Sequence, residues 1–100
     1  NADEQEASAG VHINLSKLDD VGKLAAIKTL TPGAGLYMDG HCMMYIGKSN
    51  DVPFVLHSLG SYYKDGKTVR TMRVVVSDLT LTRHNGNTML GDLTTAVEYK

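Results

Sequence analysis

The sequence predicts an α+β domain, with one amphipathic helix followed by an antiparallel, partly closed β-sheet. Three observations predict it. Apolar residues fall near helical spacing between Val21 and Leu30, and Thr31-Pro32-Gly33 then stops the helix. Beyond Pro32, short apolar runs alternate with turn signals at Asp39-Gly40, Gly47 to Asp51, Lys64 to Lys67 and His84 to Asn87. The 100 residues, 42% hydrophobic and 21% charged, have the size and balance of one globular domain, with neither a repeat nor a low-complexity tract.

The elements follow in chain order. Residues Asn1 to Gly10 are small and polar, and are expected to be extended or poorly ordered. Val11-His12-Ile13-Asn14-Leu15 alternates apolar and polar, as a short strand does. Ser16-Lys17-Leu18-Asp19 matches the serine-x-x-acid start of a helix. The helix is expected from about Leu18 to Thr29, with Val21, Leu24, Ala25 and Ile27 or Lys28 near its apolar face. Gly35 to Met38, His41 to Ile46, Pro53 to Ser58 and Thr68 to Val76 are expected strands, the last extended or followed by Leu79 to Thr82. Met89 to Val97 reads as a closing helix or an irregular segment.

Composition narrows the function. A formal net charge of -1 argues against nucleic-acid binding, which requires a basic face. No apolar run approaches the roughly 18 residues of a membrane-spanning helix. The single cysteine forbids an internal disulfide and leaves the compartment open. The chain opens on Asn1, without an initiator methionine, and reads as a processed or excised piece.

Two histidines carry the chemistry. With Gly47 to Asp51 as a five-residue loop, Ile46 pairs with Val52, Tyr45 with Pro53 and His41 with His57. His41 and His57 then oppose each other directly, their Cβ atoms about 4.5–5.5 Å apart. One residue of slip would send them to opposite faces. Adjacent imidazoles suit a general base and the group that fixes its tautomer. Cys42 is the only thiol, but strand alternation turns it away from His41, and a buried structural role is expected. No third Cys, His or acid is suitably spaced, so neither a metal nor a cofactor is expected. Tyr37 and Tyr45 are read as strand packing, and Met38, Met43 and Met44 as core filler. His12 and His84 read as surface or turn residues.

The segment Leu30-Thr31-Pro32-Gly33-Ala34-Gly35-Leu36-Tyr37-Met38-Asp39-Gly40-His41-Cys42-Met43-Met44-Tyr45-Ile46-Gly47 resembles the centre of the NlpC-type cysteine peptidases, papain-like bacterial enzymes that cut peptide bonds in peptidoglycan stems. The shared pattern is proline-glycine, an apolar strand, glycine-histidine, and a strand ending in tyrosine-x-glycine. The resemblance covers most of the chain and is weaker after Lys64. It implies a papain-like NlpC-type fold, with His41 as general base and His57, in Val55-Leu56-His57-Ser58, as the orienting residue. It also implies that Asn1, in the polar stretch Asn1 to Gln5, borders the substrate cleft. Tyr62, beside Tyr63 and a glycine-containing turn, is a second candidate for lining that cleft.

The family's nucleophilic cysteine begins a helix in an aspartate-cysteine-serine context, where the helix N-terminus stabilises thiolate. This chain contains no such sequence. The resemblance implies that the nucleophile helix is missing and that the chain starts just after it, as the C-terminal part of a catalytic domain. The isolated chain is then expected to be inactive, its partners being a peptidoglycan stem peptide and the missing N-terminal part. Self-association through exposed apolar surface is also expected. The family implies a cell-envelope location, periplasmic or secreted. The competing reading is a truncated or degenerate cell-wall-binding module without chemistry.

Overall fold

The computed structural model describes residues 10–83 and 85–99, without the side chains of 58–64 and 68–73. The expected character of the first residues, the Asn1 assignment and the His84 reading lie outside that range. Among the described residues six strands form one antiparallel sheet: β1 Val11–Asn14, β2 Gly35–Met38, β3 His41–Ser49, β4 Val52–Lys64, β5 Lys67–Ser77 and β6 Thr95–Glu98. Helix α1, Asp20–Lys28, lies between β1 and β2, and the single turn α2, Met89–Asp92, precedes β6. The order across the sheet is β1-β6-β2-β3-β4-β5. The sheet is open, which corrects the expected partial closure: β1 and β5 are its two edges and do not pair with each other.

Residue type explains the elements and corrects several boundaries. Asp19 rather than Ser16 caps α1, its carboxylate accepting from Gly22 N at 2.8 Å. Ser16 instead turns back on Asn14, with its amide 2.9 Å from Oδ1. The buried side of α1 is Lys23 and Ile27, with Leu24 and Ala26 packed beside them; Val21 is 76% exposed, so the expected apolar face is displaced around the helix. The Lys23 stem reaches across to α2, and Nζ donates to the Gly91 carbonyl at 2.6 Å.

The sheet has two unlike faces. Leu36, Met38, Met43, Tyr45, Val55 and Ala96 point toward the helices and pack with Leu15, Ile27, Leu30, Leu79, Leu90 and Leu93. Each large apolar side chain buried here contributes about 1.5–3 kcal/mol. The other face leaves Met44, Ile46, Val74 and Val76 exposed. Met44 is therefore not core, whereas Met38, Met43, Tyr37 and Tyr45 are buried as expected. Tyr37 lies over Gly35 and shares a hydroxyl–hydroxyl hydrogen bond with Tyr99.

The closing segment differs most from expectation. Met89 to Val97 is neither a long helix nor irregular: after α2 it becomes β6, inserted between β1 and β2. Thr95, Val97 and their neighbours carry strand propensity, but nothing local says that both flanks are occupied. The run after Ser77 is not strand but a turn at Asp78 to Thr80, where the Asp78 carboxylate accepts from the Thr80 amide at 2.9 Å.

Candidate functional site

His41 and His57 come together on the helix-facing side of the sheet, by a route different from the expected one. The turn between β3 and β4 is Asn50-Asp51 alone, with positive φ at both residues, as a tight hairpin of this kind demands. Ser49 pairs with Val52, Lys48 with Pro53 and Gly47 with Phe54. A loop three residues shorter than expected shifts the pairing by an odd number and would put the histidines on opposite faces. A bulge between Tyr45 and Gly47 shifts it back by one, after which Tyr45 pairs with Val55 and Met44 with Leu56. Ile46 is the extra residue, and Gly47 takes a φ of 118° beside it. Parity is thereby restored. His41 is not directly opposite His57, which corrects the expected pairing; it sits diagonal to it, on the same face.

The rings meet edge to face, centroids 5.5 Å apart and planes at 88°. His57 is 4% exposed and, with Lys23, is one of two buried polar or charged side chains among the described residues. Its Nε2 lies 3.1 Å from Ser77 Oγ. Among the described residues two buried side-chain nitrogens have no hydrogen-bond partner, His41 Nε2 and His57 Nδ1, one on each ring of the contact. A buried polar atom without a partner costs about 1–3 kcal/mol, so a site that concentrates two of them calls for an explanation.

Both histidines are biased toward the neutral form. Burial holds His57 below the ordinary imidazole range. Burial also lowers His41, helped by the charge of His57 and then of Arg83. Neutral imidazole is the form that accepts a proton.

Asp39-Gly40 forms the tight β2–β3 turn, Met38 pairing with His41 across it and Gly40 taking a φ of 76°. His41 is therefore the first residue of its strand. Cys42, paired with Tyr37, has the opposite orientation by alternation. It is half-buried rather than buried. It lines a pocket of about 410 Å³ with Tyr37, Met44, Leu56, Val74 and Tyr99, a pocket that also reaches Met43 and His57. Among the described residues no thiol shares the face of His41.

Tyr62 lies within β4, paired with Val69, and not in a loop. It lies five positions along the strand from His57, about 16 Å of backbone. Among the described residues no group of three or more His, Cys, Asp and Glu could hold a metal ion. No described helix is long and apolar enough to cross a membrane.

No family model and no curated protein matches the chain.

Sequence reasoning missed two residues at this site. Ser77 ends the valine-rich run, and its hydroxyl reaches His57 only because β5 pairs back on β4, Val55 with Ser77 and His57 with Val75. Arg83 approaches from a loop that looked like a plain turn. A lone cation just before Asn-Gly carries no signal until the fold brings it to the β2–β3 turn.

Proposed function

We propose that the chain supplies the base and orienting residue of an NlpC-type cysteine peptidase acting on peptidoglycan stem peptides, with the thiol coming from sequence that precedes it in the parent protein. The observation that carries this is the His41–His57 contact with its two unpartnered nitrogens. They are complementary. If His57 Nε2–H donates to Ser77 Oγ, then Nδ1 is an acceptor, and His41 Nε2–H is the donor that matches it. His41 Nδ1 is then left to take a proton from a thiol. The rings, now perpendicular with centroids 5.5 Å apart, must turn and close up for that hydrogen bond, as catalytic hydrogen bonds commonly tighten on assembly of the complete site. On this reading Asn1 and Tyr62 border the substrate, Tyr62 at some distance from the reacting bond, and the exposed sheet face offers a surface for self-association. The envelope location follows from the same resemblance.

Cys42, turned to the other face, favours a second reading for the chain by itself: a cell-wall-binding module without turnover. One assay separates the two. The parent protein is incubated with peptidoglycan fragments, and peptide release is compared with that of His41→Ala. Loss of about 100-fold or more in rate is expected for removal of a general base. Binding without release in the wild-type parent supports the module, and an unchanged rate in His41→Ala removes His41 from the mechanism.

A further inference from the structure

The loop between β5 and α2 is built with more care than a connection needs. The Asp92 carboxylate collects three side-chain donors: Arg83 Nη1 and Asn85 Nδ2 on Oδ2, and Asn87 Nδ2 at 2.9 Å on Oδ1. The backbone closes around them, with Arg83 N donating to the Asn87 carbonyl at 2.7 Å and Gly86 N to the Arg83 carbonyl at 2.9 Å. Asn87 N adds a bond to Asn85 Oδ1 at 2.9 Å. These bonds fix the direction of one side chain. Arg83 leaves the loop and places Nη2 3.3 Å from the carbonyl oxygen of Asp39, the residue two before His41.

We propose that Arg83 is a positioning residue for His41: braced by Asp92, it holds the Asp39 carbonyl and thereby the turn that presents the imidazole, and it sets a fixed positive charge beside that ring. The turn is a point of leverage, because Gly40 has a φ that other residues rarely adopt and His41 follows it directly. A guanidinium suits the task, since it is planar, permanently charged and able to serve two acceptors at once. Among the described residues, the charged and titratable groups near His41 are His57 on β4, Arg83 in the loop, Asp39 in the turn and, behind Arg83, Asp92 on α2. Among them Arg83 and His57 disfavour the imidazolium, and the pull on His41 has that sign. The loop thus does for the base from outside what His57 does from within the sheet.

The inference rests on His41 being the base, and its test does not need turnover. Histidine ring titrations are followed by nitrogen–proton correlation spectra on this chain. Arg83→Met removes charge and brace together. The His41 midpoint is expected to rise by a few tenths of a unit to about one unit, and the Gly40 and His41 amide resonances to shift. Arg83→Lys keeps the charge without the fork. Its midpoint is expected to stay close to wild type, while the amide resonances still move. Should Arg83→Met not fold, Arg83→Gln takes its place, with the same rise expected. A His41 midpoint unmoved by loss of the charge, or moved equally by Arg83→Lys, overturns the proposal. An unchanged peptidase rate in His41→Ala would remove the base role, whereas an unmoved midpoint would remove only Arg83 from it.

Discussion

Gly47→Ala is the sharpest test of how the two histidines come to share a face. Gly47 holds a φ of 118° at the bulge that restores their parity. An added Cβ would meet only Pro32 Cγ, at 3.7 Å, so there is room for it and the cost is conformational. Holding a side-chain-bearing residue in such a region costs about 1–3 kcal/mol. The chain has one escape, which is to lose the bulge and continue the hairpin in the register set by Ser49 and Val52. That would turn Tyr45 and Met43, now 1% and 5% exposed, out of the core. Loss of their burial costs several kcal/mol, more than the strain, so the bulge is expected to survive. The variant should therefore be destabilised by about 2 kcal/mol with its site intact. For a domain of this size each kcal/mol lowers Tm by roughly 4–8 °C. Thermal denaturation reads the loss, and ring-to-ring nuclear Overhauser effects between His41 and His57 read the site. A Tm within about 2 °C of wild type, or loss of the contact in a folded variant, would refute the reasoning.

Two further outcomes are expected. Gly35→Ala would drive a Cβ to 2.6 Å from the ring of Tyr37, which is buried and tied to Tyr99, so a loss of about 1–3 kcal/mol should appear as a lower urea midpoint at unchanged m-value; an unmoved midpoint would show that the ring yields freely. Stability should also fall on acidification: His41 and His57 titrate lower in the folded chain than the ordinary 6.5, so below about pH 6.5 the unfolded state binds more protons and unfolding becomes easier. Each unit of depression is worth about 1.4 kcal/mol, present above pH 6.5 and lost as pH drops through the folded value. His57→Leu should flatten the slope of denaturation midpoint against pH, and an identical slope would assign the effect elsewhere.

Elements governed by neighbouring residues were legible in the sequence. Pro32, Gly40 and Asp65-Gly66 punctuate the chain where the structure turns, and the apolar run that follows His41 predicts β3. Elements governed by distant partners were not. Alternation placed the histidines on one face and set Cys42 apart, yet the predicted direct pairing failed, because Ser49 to Val52 is a tight turn and Ile46 is an added residue. Two departures in register combined to keep the face and change the neighbour. The burial of Lys23 depends on a carbonyl 68 residues away, and the role of Arg83 on a turn 44 residues away. No pattern within a helix or a loop encodes either.

The place of β6 has a consequence for how this sheet is assembled. β1 touches the rest of the sheet only through residues 95–98, more than eighty positions further along the chain. A hairpin succession from β2 to β5 can form as it is synthesised, each strand finding a partner already made. The first strand cannot; it waits, with one edge bare, until the last has entered between it and β2. Closing so long a loop comes late and slowly, because its entropy must be lost before any pairing offsets it. β1 and β6 are thus the last strands to join, and a protease that removes β6 also takes β1 out of the sheet.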